Sequence, residues 1–217
     1  MLIEDIMTRT VVTVAPEDSL AEALQRARTG RFRHLPVVVK GRVVGVVSDR
    51  DLRSVVPALV ALKEDELLKR TTVDQVMHTR VVSVHPLDPV EDAARLLYEH
   101  KIGCLPVVSG DELVGIVTET DVLRSFVELS GGLTAGSRLE IEAVDRPGVL
   151  AEVGEITRRH RVNVTSIFTT PGRAPGYTIM VVRLQALDVR PVVHDLKAAG
   201  YEVHWPNPLG KPEGSGS

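Results

Sequence analysis

This chain of 217 residues is poor in the residues that staple, stack or ligate: one cysteine, one tryptophan, three tyrosines and three phenylalanines. A single thiol forms no intramolecular disulfide and builds no thiolate metal cluster, which excludes a disulfide framework and a zinc-finger-type domain. With so few aromatics the core must be assembled from Val, Leu, Ala and Ile. No apolar run reaches the roughly 18 residues of a membrane-spanning helix. The opening Met1-Leu-Ile-Glu-Asp lacks the basic-then-apolar order of a secretory signal. A formal charge of −3 gives no general electrostatic reason to bind nucleic acid. These absences point to a cytoplasmic protein with neither a membrane nor a nucleic-acid partner. Catalytic patterns are missing too. There is no nucleophile elbow, Walker loop or pair of catalytic carboxylates. The seven histidines, at 34, 78, 85, 100, 160, 194 and 204, fall at no His-x-x-x-His or Cys/His spacing. We therefore expect no metal site, no catalytic residue and no enzymatic activity.

What the chain does have is repetition. Residues 7–52 align without a gap on residues 77–122, and fifteen of the 46 pairs are identical. The identities are patterned. Val11-Val12-Thr13-Val14 meets Val81-Val82-Ser83-Val84, Leu35-Pro36-Val37-Val38 meets Leu105-Pro106-Val107-Val108, and Gly45-Val46-Val47-Ser48 through Asp51 meets Gly115-Ile116-Val117-Thr118 through Asp121. Self-similarity at a fixed period means one supersecondary unit used twice, with each copy completing its core against the other. Such a pair has two related clefts, and clefts between repeats are where small molecules bind.

Each copy reads as strand, helix, strand, strand, helix. Residues 11–14 read as a strand. A helix follows, capped by Asp18 or Ser19, with Leu20, Ala23, Leu24 and Ala27 inward. Residues 35–39 and 43–48 read as a hairpin turned at Lys40-Gly41-Arg42, and Asp51 opens a second helix. The second copy gives a strand at 81–84, a helix from Pro89 with Val90, Ala93, Ala94 and Leu97 inward, strands at 105–108 and 113–118, and a helix from Asp121. Pro89 at the first helical turn has no N–H to leave unpaired. The connection at 57–72 reads as a solvated helical turn around its charged residues 63–70.

Composition then shifts at Ser130-Gly-Gly-Leu-Thr-Ala-Gly-Ser137, read as a linker. Beyond it the order is βαββαβ, the ferredoxin-like arrangement: strand 138–144, helix to His160, strands 162–169 and 177–184, helix 189–199 stopped by Gly200, and strand 201–205. The expected domains are 1–70, 71–129, a linker at 130–137, 138–206, and a disordered Gly/Ser-rich tail at 207–217. The fold class is α+β, an α/β sandwich pair followed by a ferredoxin-like domain.

The site chemistry of the repeats follows from residue type. Ser48 and Thr118 end strands, and Asp51 and Asp121 stand three residues on, at helix starts. A carboxylate accepts hydrogen bonds from the vicinal hydroxyls of a ribose, although the same residues serve equally as helix caps. Hydroxyls and free amides at a helix N-terminus suit phosphate. Thr13 and Ser83, with the valines before them, would offer walls and backbone partners to a flat base. Arg31, Arg33, His34 and Arg50 cluster around the first half-site in sequence. The second has Lys101, Gly103, Cys104 and Thr120, with Glu119 adding negative charge. The Asp51 site is therefore expected to take the more highly charged ligand.

The paired Leu-Pro-Val-Val strands, the paired Gly-h-h-Ser/Thr-x-x-Asp turns and the Asp5-Ile-Met7 and Gln75-Val-Met77 starts resemble a tandem pair of CBS domains, a Bateman module. Residues 138 to about 206 resemble an ACT domain, through Asp145-Arg-Pro-Gly-Val-Leu150 after the first strand and Val162-Asn163-Val164 at the second. The combination resembles acetoin-utilisation proteins of the AcuB type. The resemblance implies AMP, ADP, ATP or S-adenosylmethionine as a regulatory ligand held by Thr13, Arg33, His34, Ser48, Arg50, Asp51, Ser83, Thr118 and Asp121. For the ACT region it implies an amino-acid effector at Asp145, Gly148, Val149, Leu150 and Asn163. It also implies a homodimer acting on a metabolic enzyme not named by the sequence. The alternative is a dimeric adaptor that senses nothing. Cys104 is expected to be a buried small hydrophobe.

Overall fold

The computed structural model describes residues 1–54 and 64–205. The expected tail at 207–217 and part of the 57–72 connection lie outside the described residues. Packing divides the chain into two compact units, the first Met1–Arg124 and the second from Ser125 onward.

In the first unit, helix α1 (Ile3–Ile6) precedes helix α2 (Leu20–Gly30), strands β1 (His34–Val39) and β2 (Arg42–Ser48), and helix α3 (Asp49–Ser54). Ser19 caps α2: its Oγ accepts from the Glu22 N–H at 3.3 Å, and the Glu22 carboxylate accepts from the Ser19 N–H at 3.0 Å. This reciprocal box is what Ser-x-x-Glu before an apolar run encodes. Leu20, Ala23, Leu24 and Ala27 are buried along one stripe. β1 and β2 pair antiparallel around a tight Lys40-Gly41 turn, in which both residues have positive φ (51° and 84°). Helix α4 (Glu64–Arg70), a 3₁₀ turn (Val73–Gln75), helix α5 (Val90–His100), strands β3 (Cys104–Ser109) and β4 (Glu112–Thr118) and helix α6 (Glu119–Leu129) follow. The two hairpins share register, down to a bulge after Val37 in one and after Val107 in the other. α4 is not wholly solvated, since Leu68 is buried in the first repeat's core.

Two expectations change. Residues 11–14 and 81–84 are not strands: each contributes one parallel bridge, Val14 to Val37 and Val84 to Val107. β1 and β3 carry their hairpin partners on one edge, and on the other each makes a single bridge to the valine segment. The later helices begin at Asp49 and Glu119 rather than at the aspartates, which occupy the third helical position.

The cores are exchanged between repeats. Ile3 and Met7 are buried with Val84, Val90, Leu105 and Val117 of the second repeat, whereas Val73 is buried with Leu20, Leu35 and Val47 of the first. Thr8 and Ile116 exchange backbone hydrogen bonds at 2.9 and 3.0 Å, and His78 and Val46 do the same at 2.9 and 3.0 Å. Glycine lets a methionine side chain lie against the backbone at these crossings. A Cβ at Gly45 would sit 2.6 Å from Met77 Sδ, and one at Gly115 would sit 2.6 Å from Met7 Sδ. The repeated methionine and the repeated glycine thus form one contact, made twice.

The second unit carries a four-stranded antiparallel sheet in the order β6-β7-β5-β8, formed by β5 (Ser137–Val144), β6 (Val164–Pro171), β7 (Tyr177–Leu184) and β8 (Glu202–Trp205). Helices α7 (Val149–Arg159) and α8 (Arg190–Ala198) give it the βαββαβ order. Leu139, Ile141, Val153, Ile156, Met180, Val182, Val192 and Leu196 form its core. Ser130, first in the stretch read as a linker, is fastened to this sheet: its carbonyl accepts from Ser166 Oγ and Arg183 Nε, each at 3.0 Å. No helix among the described residues is long and apolar enough to cross a membrane.

Candidate functional site: two crossed clefts

The exchange of N-terminal segments builds each cleft from both repeats. The first cleft, about 460 Å³, takes Val46, Ser48, Arg50 and Asp51 from one repeat and His78, Arg80, Val81, Val82 and Lys101 from the other. The second, about 430 Å³, takes Ile116, Thr118 and Asp121 from one repeat and Thr8, Thr10, Val11, Val12, Arg31 and Phe32 from the other. Both volumes are in the range of sites for small organic ligands.

At the floor of each cleft stands the same device. Asp51 Oδ2 accepts from the Ser48 N–H at 2.9 Å and from Ser48 Oγ at 2.6 Å, while Ser48 Oγ accepts the Asp51 N–H at 3.2 Å. Asp121 Oδ2 accepts from the Thr118 N–H at 2.8 Å and Oγ1 at 2.6 Å, and Thr118 Oγ1 accepts the Asp121 N–H at 3.3 Å. Capping and ligand binding are therefore compatible roles. One carboxylate oxygen of each aspartate is held by the helix start. Asp51 Oδ1 lies 3.4 Å from His78 Nε2. Partial burial pushes the Asp51 carboxyl up, but the bonds from Ser48 and the proximity of His78 outweigh it and leave its pKa below the ordinary value.

The clefts differ in charge. Arg33, Arg50, Arg80 and Lys101 line the Asp51 cleft against Asp49, Asp51 and Glu119. Arg31 and Arg33 line the Asp121 cleft against Glu119 and Asp121. Arg31, placed by sequence order beside Asp51, in fact lines the other cleft, because each wall comes from the opposite repeat. Arg33, His34, Gly103 and Glu119 line both. A Cβ at Gly103 would fall 2.6 Å from His34 Cε1, so the ring packs directly on that glycine. The position equivalent to Gly103 in the first repeat is Arg33, and this exchange breaks the two-fold symmetry. Burial holds the His34 pKa below its usual value, against the opposing pull of Asp49, Asp51 and Glu119.

Thr13 and Ser83 do not line the clefts; the residues just before them do, and the Thr13 carbonyl accepts from Arg26 at 3.0 Å. His78, Arg80 and Lys101 were not singled out for the Asp51 cleft in the sequence, although 78 and 80 flank the repeated valines. Cys104 is buried, and burial pushes its thiol up to about 12.

In the second unit the five expected effector residues are dispersed. Val149 is a core residue, and the Leu150 side chain is exposed. Gly148 has φ 95° with open space where a Cβ would be, so it is needed for the turn into α7. Asn163 Nδ2 lies 3.5 Å from Gln185 Oε1. Asp145 lines a surface groove with the hairpin tip at 171–178. A separate cavity of about 450 Å³ is lined by Glu142, Arg146, Val149, Tyr177, Tyr201 and Glu202 among others.

Comparison with known proteins agrees with this division. The profile of the CBS domain matches residues 3–58 and 73–128, and that of the ACT domain matches residues 137–200. Among solved structures, the Vibrio cholerae protein AcuB, assigned to acetoin utilization, is 35% identical with a TM-score of 0.51, over 59% of this chain and 92% of that one. CBSX2 in complex with AMP is 31% identical with a TM-score of 0.51, over 59% of this chain and 97% of that one. The CBS domain pair of protein MJ0100, in complex with 5′-methylthioadenosine and S-adenosyl-L-methionine, is 27% identical with a TM-score of 0.51, over the same 59% and 97%.

Proposed function

Because this chain belongs to the CBS-domain family and carries a C-terminal ACT domain, we propose that it is a non-enzymatic regulatory sensor whose two clefts bind adenosyl nucleotides. One observation carries the reading: a Ser/Thr–Asp pair, oriented by reciprocal hydrogen bonds, stands on the floor of each of two clefts of nucleoside size. The aspartate carboxylate of each pair receives the ribose diol, that of Asp51 in exchange for its contact with His78, and the helix start and arginines receive phosphate. The Asp51 cleft, with the richer cationic lining, takes ATP or ADP. The Asp121 cleft takes a less anionic ligand such as AMP or S-adenosylmethionine. CBSX2 and the MJ0100 pair, crystallised with such ligands, support the ligand class.

Binding acts by favouring one packing of the repeats over another and thereby biases a partner enzyme or the ACT domain. The likeness to AcuB directs the search for that partner towards acetoin utilization. Exposed Tyr98 and Leu123 on helices of the CBS pair support self-association as a homodimer, and a gel-filtration mass of one chain would remove that part. An amino-acid effector at the ACT domain belongs to the same proposal, supported by the N-terminal amides of α7 behind the Gly148 turn. Cytoplasmic residence completes it.

Differential scanning calorimetry with ATP, AMP and S-adenosylmethionine tests the reading. A ligand at about 100 times its Kd stabilises the bound state by about 2.7 kcal/mol. The absence of any thermal shift with all three would overturn it. The competing reading, a dimeric adaptor resting on the same exposed apolar side chains, requires Asp51→Ala to leave partner capture unchanged with and without nucleotide.

A further inference from the structure

Outside the clefts, three metal-ligating side chains converge on the face of the ACT sheet. β5 and β8 pair so that Glu142 stands directly opposite Glu202. Like charges placed opposite in an antiparallel pair repel each other. Residue 204 lies two positions beyond 202, and an undistorted strand would present it on the same face. The pairing, however, runs from Ile141–Val203 to Glu140–Trp205, which leaves His204 as the unmatched residue of a bulge. Bulges re-aim side chains, and here the imidazole meets the carboxylates: His204 Nε2 lies 2.8 Å from Glu142 Oε2 and 3.8 Å from Glu202 Oε2. One donor atom from each of the three lies within 4.8 Å of the others. A tetrahedral ion about 2.1 Å from each ligand needs donors about 3.4 Å apart, a spacing these distances bracket.

The site has an orienting contact of its own. Glu142 Oε1 accepts the Arg173 backbone N–H at 3.0 Å, which holds the carboxylate from the hairpin tip. Such outer contacts accompany ligating carboxylates. The Glu142 side chain is 10% exposed. Glu142 and Glu202 also line the adjacent cavity of about 450 Å³, so positions not filled by protein are open to water or a small ligand.

We infer that Glu142, Glu202 and His204 form a divalent transition-metal site of the zinc class, which ties the edge strand β8 to β5. One imidazole with two carboxylates suits zinc or cobalt and disfavours magnesium, which prefers an all-oxygen shell. The linear spacing hides this set, because Glu142 is 60 residues from Glu202.

The test uses the untagged full chain, stripped with a chelator and titrated with Zn²⁺ by calorimetry and with Co²⁺ by visible absorption. The expected result is one saturable equivalent per chain, a ligand-field band with Co²⁺, displacement of Co²⁺ by Zn²⁺, and no displacement by Mg²⁺. Glu142→Gln and His204→Gln should each weaken Co²⁺ binding by about 100-fold, and Glu202→Gln by about tenfold, judged against the 10–100-fold effect of losing even an outer contact. Glu202 is exposed, so its variant reports even if the other two fail to fold. No saturable Zn²⁺ heat in the wild type would overturn the inference. So would a Co²⁺ spectrum unchanged by Glu202→Gln and His204→Gln, which would leave the cluster as an ion-paired strand clamp.

Discussion

Replacing Asp51 separates capping from ligand binding, because its two oxygens are placed in different surroundings. Asp51→Ala removes two hydrogen bonds from Ser48 to Oδ2, at 2.9 and 2.6 Å, and dissolves the reciprocal box at the start of α3. Loss of a cap of this kind costs about 1 kcal/mol, which is a fall in Tm of about 3–5 °C for a unit of this size. In the proposed nucleotide complex, the same change would remove an acceptor for two ribose hydroxyls. Hydrogen bonds to a charged group contribute about 1.5–3 kcal/mol each. The Asp51 side chain is 24% exposed, so solvent screening reduces their sum to about 2–3 kcal/mol. That is about 30- to 150-fold in Kd. Asp51→Asn is the decisive companion. Asparagine keeps an acceptor for the Ser48 N–H and with it much of the reciprocal box at the start of α3, but it can no longer offer oxygens to both Ser48 and a diol. Calorimetric titration of ATP should show Asp51→Asn near wild type in Tm and weakened about 30-fold or more in binding. Asp121→Ala should spare ATP binding at the Asp51 cleft. If both Asp51 variants bind ATP as the wild type does while Asp51→Ala melts early, the aspartates only cap helices and the sensing account fails. Equal losses from Asp51→Ala and Asp121→Ala would remove the charge asymmetry between the clefts.

Gly103→Ala places a methyl 2.6 Å from His34 Cε1 and must displace a ring that lines both clefts; we expect a loss of about 1–3 kcal/mol in urea unfolding and weaker nucleotide binding at both sites. His34 carries its pKa below 6.5 in the folded state, chiefly through burial. The unfolded chain therefore takes the proton first, and stability should fall as pH drops through 6.5 towards the lower folded value; in His34→Gln this part of the slope should vanish, and an unchanged slope would refute the assignment. Glu152 is held down at about 2 by its bonds with Arg146 and Tyr201, from an ordinary 4.5. Its contribution is present above about 4.5 and lost as pH falls towards 2, so Glu152→Gln should flatten the dependence of Tm on pH in that window.

Much of this architecture was legible because its signals are local. Ser19-x-x-Glu22 names its own helix start. Lys40-Gly41 names its turn. Alternation in residues 138–144 names a strand with one buried face. The valine segments at 11–14 and 81–84 misled for a physical reason. β-Branched composition reports a preference for extended backbone, but a strand also needs a continuous run of backbone pairing, and each segment makes only one bridge. The arginines misled in a related way. Neighbours of Asp51 along the chain are not its neighbours in the cleft.

The repeat, its two aspartate devices, the order βαββαβ and the valine-leucine core were determined by the sequence alone, since periodicity, capping and turn chemistry act over a few residues. Which repeat walls which cleft was decided by tertiary structure, through the long-range pairing of Thr8 with Ile116 and His78 with Val46. The same holds for the meeting of Glu142 with His204, which depends on the register of β5 against β8 and on one bulged residue. Register and segment exchange are properties of paired backbones, and no short stretch of chain carries them by itself.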